Sequence, residues 1–271
     1  QDFLDKLKEE DYSKSTLNSV YVVGKMIFEK AIEWREIKEN PLRFVTVPEY
    51  MKSVDELERE EDEIKYLEKE ELSLFLKAAL DKGKANDHLI FTVLSYTGMR
   101  VGELCALKWK DVDTESCTIS ITKTYYNKAK TDSFQLLTPK TPKSKRIIDV
   151  DEAVIKMLES HRNKQKELMM KYRMTYKDDG YVFVVENKKF QGYPISPHYV
   201  RGRMTRLLKK AGLNDTLTPH SLRHTHTSLL AEAGVDLTAI MERLGHTDDT
   251  TTKKVYLHVT KTMKREASQR F

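Results

Sequence analysis

The chain has 271 residues, of which 39% are hydrophobic and 33% are charged, and its formal net charge at pH 7 is +5. This composition is typical of a soluble globular protein of one or two domains with a heavily charged surface. The sequence has no apolar run near the ~18 residues of a membrane-spanning helix, and no secretory signal opens it. We therefore expect a cytoplasmic protein without a membrane partner.

The charge is unevenly distributed along the chain. Residues 1–63 hold 10 Lys and Arg against 17 Asp and Glu, a balance of −7, so residues 64–271 carry +12. A basic body of this kind favours a polyanionic partner, although a merely charged surface would have the same balance. Cys105 and Cys117 flank an expected strand and are interpreted as small core residues in a reducing compartment, without a disulfide.

The N-terminal segment is predicted to be helical. Apolar residues around Leu4 predict the end of one helix, and apolar residues near helical spacing predict a second helix over residues 15–37. Ser15 or Thr16 could cap this second helix. Two helices are too few to bury a core alone, so residues 1–50 are predicted to be part of a truncated helical domain.

The rest of the chain is predicted to be a linker followed by a larger domain. Residues 51–65 are strongly acidic without an apolar face, which favours a solvated linker over a contact with a basic partner. Residues 66–271 predict a mostly α-helical domain with a small antiparallel β-sheet. A helix is expected to open near Leu67, with further helices near 86–96, 101–108, 151–172, 197–211, 219–234 and 236–244, and strands near 117–124, 147–150 and 182–185.

The first segment with candidate functional residues begins at Thr97. Gly98 follows an apolar helix and suits the left-handed residue that ends a helix. Arg100 falls at the junction before the next helix, where backbone N–H groups and a guanidinium can face one ligand. A surface arginine is the ordinary interpretation, but the position three residues before Glu103 favours a phosphate ligand that Glu103 supports.

The second segment opens a helix near the C-terminus. Thr218 can cap this helix and Pro219 can occupy its first position. His220 then lies in the first turn, where the helix dipole and the free N–H groups favour an anion. Arg223 lies three residues later on the same face. His226 lies with the apolar residues of the helix and is interpreted as a packed histidine.

A metal site is the alternative interpretation of these histidines. His220 and His224 have the i, i+4 spacing of a zinc pair, but no Glu lies between them and no Cys is nearby. We therefore expect no metal, and the role of His224 stays open. A basic helix near residues 197–211 is a further candidate, because Arg203, Arg206 and Lys210 are predicted to share one face that either contacts DNA or is simply solvated.

Two further groups complete the pattern, Leu244-Gly245-His246 and, ten residues later, Tyr256. Together these segments resemble the conserved boxes of the tyrosine recombinases, the phage integrase family. The resemblance covers about residues 64–260. The motif sequences look most like those of integrases of phages and conjugative elements of Gram-positive bacteria. It implies that residues 1–50 are the C-terminal part of an all-α core-binding domain and that residues 66–271 are a catalytic domain with a C-terminal tail. The matching blocks are Thr97–Leu104, Pro219–Thr225, Leu244-Gly245-His246 and Tyr256.

The resemblance also implies a role for each residue of the site. Two arginines would stabilise the phosphate, a tyrosine would attack it, one histidine would accept a proton and another would hydrogen-bond the phosphate. The family's hairpin lysine would protonate the leaving 5′ oxygen, and the Lys-Thr pair ahead of a Ser-x-Arg-x-Ile strand assigns it to Lys140, with Lys143 and Lys145 as DNA-backbone contacts. The remaining assignments are Arg100, Arg223, Tyr256, His220 and His246, with Glu103 in support.

The function that the resemblance implies is cleavage and rejoining of double-stranded DNA at specific core sites. A 3′-phosphotyrosyl intermediate would conserve the energy of the phosphodiester, so neither ATP nor a metal nor another cofactor is expected. Four strands would be exchanged by a homotetramer through a Holliday junction. The alternatives are a type IB topoisomerase, which uses similar chemistry, and a non-catalytic DNA-binding regulator.

Overall fold

The computed structural model describes residues 1–50, 66–127, 134–138, 144–187, 190–245 and 250–270. It divides into two compact units, residues 1–63 and 64–271. The predicted linker over residues 51–65 lies outside the described residues, and so do Lys140, Lys143 and His246.

The first unit is built from two helices, α1 (Asp2–Glu9) and α2 (Lys14–Glu33). Ser13 caps α2, because its Oγ accepts a hydrogen bond from the Thr16 N–H at 3.3 Å. The cap therefore lies two residues before the first predicted position. Helix α2 also ends earlier than predicted. Arg35 adopts a φ of +61°, and a left-handed residue of this kind turns the chain out of the helix.

The second unit is mostly α-helical, as predicted, and its larger apolar cluster takes residues from the helices between residues 69 and 232 and from the sheet. Phe75 and Phe91 meet edge to face in this core with ring centroids 5.0 Å apart. The helices are α3 (Lys69–Lys82), α4 (Asp87–Thr97), α5 (Val101–Ala106), α6 (Glu152–Lys171), α7 (Pro197–Ala211), α8 (Pro219–Glu232), α9 (Leu237–Leu244) and α10 (Thr250–Arg270). Helix α4 packs against α3 and α8, and α10 packs against α8.

The strands form a three-stranded antiparallel sheet and a separate hairpin. The strands are β1 (Val112–Asp113), β2 (Thr118–Ile121), β3 (Thr124–Asn127), β4 (Phe134–Leu137) and β5 (Arg146–Asp149). The sheet has the order β1-β2-β5, and Ile119 pairs with Ile148 in its centre. The hairpin pairs β3 with β4, with Tyr125 opposite Leu136, and it was not predicted.

One sequence prediction of regular structure was wrong, and one helix was not predicted. The strand predicted near residues 182–185 makes only isolated bridges in the described chain, Lys108 to Tyr181 and Val184 to Pro194. Two backbone hydrogen bonds flank the second bridge, from the Val185 N–H to the Tyr193 carbonyl at 2.7 Å and from the Ile195 N–H to the Phe183 carbonyl at 3.2 Å, but the pairing is too short to form a strand. Residues 250–260 were not recognised as helical, because a run of three β-branched threonines has poor helix propensity. Within the described residues, none of the helices has the length and apolar character needed to cross a membrane.

Candidate active site

The turn between α4 and α5 lies directly against α8 and α9. Gly98 ends α4 in the left-handed conformation, with a φ of +62°, and its N–H donates to the Leu94 carbonyl at 3.1 Å. A Cβ at Gly98 would come within 2.6 Å of the His226 ring and 2.7 Å of the Leu244 side chain. Glycine is therefore required both by the backbone angle and by the close approach. The first and second sequence blocks meet at this turn.

Arg100 and Glu103 form a compact pair at the start of α5. The Arg100 N–H donates to Glu103 Oε2 at 2.9 Å, and Arg100 Nη1 donates to Glu103 Oε1 at 3.1 Å. The Glu103 side chain is 3% exposed, whereas the Arg100 side chain is 37% exposed. The carboxylate is thus an internal anchor, and the guanidinium can still meet a ligand from outside.

A second arginine holds the same carboxylate. Arg146, the first residue of β5, places Nη1 at 3.2 Å from Glu103 Oε1 and Nη2 at 2.9 Å from Glu103 Oε2. Burial by itself raises the pKa of the Glu103 carboxyl, but the hydrogen bonds and charge of Arg146, with those of Arg100, outweigh burial and lower it. Glu103 therefore stays ionised between two guanidinium groups. Sequence reasoning missed Arg146, although it is the arginine of the Ser-x-Arg-x-Ile pattern.

Helix α8 begins where the sequence predicts. Pro219 occupies the first helical position, and the Thr218 N–H donates to Ser221 Oγ at 3.2 Å. His220 is exposed in the first turn, and its ring stands edge to face against the His224 ring with centroids 4.8 Å apart. The two histidines thus form one surface at the N-terminus of α8, where the helix dipole favours an anion.

Arg223 joins the turn after α4 to the end of α9. Its side chain is buried, with Nη1 donating to the Gly98 carbonyl and Nη2 donating to the Leu244 carbonyl, each at 2.6 Å. Gly245 caps α9 in the left-handed conformation, so the Leu244 carbonyl belongs to the electronegative end of that helix. The three sequence blocks around Arg100, Arg223 and Leu244 are therefore brought together by a single guanidinium.

His226 is a packed histidine, as predicted. It is buried, its Nδ1 lies 2.9 Å from the Ser95 carbonyl, and its Nε2 accepts from Arg243 Nε at 3.1 Å. The carbonyl partner assigns the ring proton to Nδ1. Burial, followed by the charges of Arg243 and Arg223, lowers the pKa of His226 to about 3. The ring is therefore neutral near pH 7. Arg243 is a second residue that sequence reasoning missed.

Tyr256 lies on α10, and its side chain is half-buried. It packs against a small apolar cluster that belongs to α8, α9 and α10. Its carbonyl accepts a hydrogen bond from Thr260 Oγ1 at 2.9 Å, one turn later in the same helix. Because α10 packs on α8, the tyrosine is carried by an element that contacts the helix of His220 and Arg223.

The prediction that Arg203 shares an exposed face with Arg206 and Lys210 was wrong. Arg203 is buried, and its Nε lies 3.1 Å and 3.0 Å from the two carboxylate oxygens of Asp87, which Nη2 also contacts. Position 203 lies one turn from the buried residues Val200 and Leu207, and it is the Asp87 carboxylate of α4 that allows a guanidinium to be buried there. Arg203 therefore loses its basis as a DNA contact.

Three other residues predicted to contact DNA are exposed in the structure, and their contact with DNA stays a prediction. Arg206 is exposed on α7. Lys210 is also exposed, and its Nζ donates to the Lys82 carbonyl at 2.9 Å, which ties the end of α7 to the end of α3. Lys145 is exposed immediately before Arg146.

Comparison with known proteins identifies relatives of the chain. Residues 65–263 match the phage integrase family. The integrase of Staphylococcus phage L54a is 35% identical over 240 residues, which are 86% of this chain and 66% of that protein. The ICEBs1 integrase of Bacillus subtilis strain 168 is 28% identical over 188 residues, 67% of this chain and 46% of that protein.

Solved structures give the same result for the fold. The Tn1549 transposon integrase in complex with transposon right end DNA superimposes with a TM-score of 0.74 at 26% identity, covering 100% of this chain and 83% of that one. The XerA recombinase superimposes with a TM-score of 0.57 at 25% identity, covering 97% and 78%. The chain spans between about half and two thirds of the length of the curated relatives it matches first. By sequence and by fold, the chain belongs to the phage integrase family, the tyrosine recombinases.

Proposed function

We propose that the chain is the core of a site-specific DNA recombinase that integrates or excises a mobile element. The observation that carries the proposal is the placement of Arg223. Its buried guanidinium bonds the turn that presents Arg100 and the end of α9, and α10 with Tyr256 packs on the same helix. Two arginines and a phenol on contiguous elements suit transfer of a phosphodiester.

The two arginines would act on the scissile phosphate. A DNA phosphodiester resists attack because it is anionic and its leaving alkoxide is poor. Planar guanidinium groups can fork onto the non-bridging oxygens and stabilise the charge that develops in the transition state. The exposed guanidinium of Arg100, held from behind by Glu103, is available for such a contact.

The remaining groups would move protons. The Tyr256 phenol would attack phosphorus, forming the 3′-phosphotyrosyl bond and breaking the bond to the 5′ oxygen. His220, exposed at the start of α8, would accept the phenolic proton. Lys140 would protonate the departing 5′ oxygen and His246 would hydrogen-bond the phosphate; both assignments rest on the resemblance.

The two units would divide the work of DNA binding. We assign residues 1–50 to the C-terminal part of a helical core-binding domain, residues 51–65 to a linker and residues 66–271 to the catalytic domain with its tail. The helical character of the first unit and the family match from residue 65 support this division.

The proposed partner is double-stranded DNA with specific core sites, bound by four copies of the chain in the cytoplasm. The net charge of +12 in residues 64–271 supports a polyanionic partner. The similarity to the Tn1549 integrase, solved in complex with transposon right end DNA, supports the same assignment. A type IB topoisomerase would relax supercoils without exchanging strands between two sites, and a regulator would not need Tyr256 for any activity.

The test is covalent capture of DNA. A pool of nicked duplexes with a randomised centre is incubated with the chain in EDTA, and protein-linked DNA is recovered under denaturing conditions and sequenced. We expect a selected set of sites to be trapped, because the nick releases a short strand and blocks religation. Tyr256→Phe should trap none. An adduct that persists in Tyr256→Phe would remove the basis for the proposal.

A further inference from the structure

We propose that Arg146 is a positioning residue for DNA cleavage. It holds Arg100, through Glu103, at a fixed position relative to Arg223. The inference rests on the proposed function and adds a residue outside the six catalytic assignments. All three guanidinium nitrogens of Arg146 are bonded within the protein, to the Glu103 carboxylate and the Arg243 carbonyl, so its effect would be exerted on Arg100 rather than directly on DNA.

The first support is the way in which Glu103 is shared. Each carboxylate oxygen accepts one hydrogen bond from Arg100 and one from Arg146. Oε1 accepts from Arg100 Nη1 at 3.1 Å and Arg146 Nη1 at 3.2 Å, and Oε2 accepts from the Arg100 N–H and Arg146 Nη2, each at 2.9 Å. The forked Arg146 contact fixes the plane of the carboxylate, and this plane sets where the Arg100 guanidinium lies.

The second support is the end of α9. Arg146 Nε donates to the Arg243 carbonyl at 2.8 Å, and Arg223 Nη2 donates to the next carbonyl, Leu244, at 2.6 Å. The last carbonyls of a helix lack intrahelical partners and carry the negative end of its dipole, so they suit cations. Two consecutive carbonyls at one helix end therefore hold two different arginines.

The third support is a reciprocal tie between α9 and β5. The Arg243 side chain donates from Nη2 to the Asp149 carbonyl at 2.8 Å, while its own carbonyl accepts from Arg146. The two ends of β5 are thus both bonded to one residue of α9. The Nε, Nη1 and Nη2 atoms of Arg146 all donate hydrogen bonds. A lysine has a single ammonium group and could not make this set of contacts.

The consequence concerns the distance between two phosphate ligands. Two guanidinium groups stabilise one phosphate only if both reach it in the same geometry, and misplacement by about 1 Å can cost about 100-fold in rate. Arg223 is fixed by its burial. Arg100 is more than a third exposed. Its position relative to Arg223 is set by the hydrogen bonds that run from Glu103 through Arg146 to the end of α9, where Arg223 is also bonded.

The experiment uses the full 271-residue chain and a nicked duplex recovered from the randomised pool. The single-turnover rate of adduct formation is measured at saturating protein, and DNA affinity is measured separately. We expect Arg146→Gln to slow adduct formation about 100-fold, with little change in affinity. Arg146→Lys should stay slow, because the charge is kept but the fork is lost. Arg173→Gln removes the same charge from an exposed position and should keep the rate of the unchanged chain.

A double-variant cycle separates positioning from a general structural role. If Arg146 acts through Arg100, adding Arg146→Gln to Arg100→Ala should cause no further loss of rate, because the group being positioned is already absent. Folding is checked by thermal melting. Glu103→Gln combined with Arg146→Gln leaves no unpaired buried carboxylate and should be folded and equally slow.

The outcomes separate the two proposals. If the unchanged chain forms no Tyr256-dependent adduct, the proposed function is overturned and this inference falls with it. If that adduct forms and folded Arg146→Gln forms it at full rate, only this inference is overturned. A loss that multiplies in the Arg100→Ala background overturns it as well.

Discussion

The second unit contains two buried arginine–carboxylate pairs, Asp87–Arg203 and Glu103–Arg146, which differ in whether the carboxylate also holds an exposed side chain. Asp87 is 1% exposed and Arg203 9%, and the contacts between them use both carboxylate oxygens. Glu103 and Arg146 are buried to the same degree, but Glu103 also holds Arg100, whose side chain is 37% exposed. Burial of an ion pair therefore does not identify a functional site. An exposed third partner distinguishes the pair at the candidate site.

The two pairs also differ in what they connect. Arg203 on α7 is fastened to Asp87 at the start of α4, which joins two helices of the main core. Arg146 connects Glu103 to the end of α9, where Arg223 is bonded too. The first pair is expected to affect stability, and the second is expected to affect catalysis.

The largest expected effect follows removal of the exposed arginine. Arg100→Ala should lower the rate of adduct formation by about 100- to 1,000-fold, the range for loss of one transition-state donor. DNA affinity and melting temperature should change little, because the side chain is partly exposed. Single-turnover assays and a binding titration measure these quantities. An equal loss of affinity would mean that Arg100 contributes binding rather than transition-state stabilisation.

Breaking the Asp87–Arg203 pair should have the opposite effect, a loss of stability without a loss of rate. Arg203→Met leaves the buried Asp87 carboxylate unpaired and should lower the free energy of unfolding by about 3–5 kcal/mol. Urea unfolding measures this loss, and adding Asp87→Asn should recover part of it. The rate of adduct formation per folded molecule should be unchanged. A rate defect in the folded fraction would erase the distinction between the two pairs.

The neutral histidine behind the site predicts a pH dependence of stability. The pKa of His226 is lowered from 6.5 to about 3 in the folded chain, so the unfolded chain takes up a proton first as pH falls. The stabilisation is fully present above about pH 6.5 and declines as pH falls towards 3. In His226→Gln this part of the pH dependence should disappear. Parallel curves of unfolding free energy for the two proteins would contradict the assignment.

The smallest expected effect concerns the exposed face of α7. If Arg206 contacts a phosphate, Arg206→Ala should weaken DNA binding about equally across sequences and reduce the slope of log K against log salt by about 1. The saturated rate of adduct formation should stay the same, since the contact is not made at the reacting atoms. Arg173→Gln is the matched control. An unchanged salt slope would mean that the basic face is only solvated.

The sequence was sufficient where local chemistry determines the structure. Gly98 ends α4, Pro219 begins α8 and Arg100 precedes α5, because these turns depend on residues within a few positions. The apolar stripes also predicted most helices correctly. The hairpin of β3 and β4 was missed, because its strands are four residues long and alternate weakly.

The sequence was insufficient where the burial or the contacts of a side chain depend on residues far away in the chain. The burial of Arg203 depends on Asp87, 116 positions away. The contacts of Arg146 reach 43 positions to Glu103 and 97 positions to the Arg243 carbonyl. Periodicity describes one helix at a time and cannot tell an arginine that faces solvent from one that meets a buried carboxylate. Which arginines serve structure and which serve the site was therefore decided by tertiary contacts.

The most direct measurement of the central claim is the identity of the residue that becomes linked to DNA. Adduct from the selected nicked duplex is trimmed with nuclease, digested with protease and examined by mass spectrometry. We expect a nucleoside 3′-phosphate esterified to the peptide that contains Tyr256, and to no peptide from the Tyr256→Phe chain. A nucleotide on a different residue, or an adduct that survives the substitution, would contradict it.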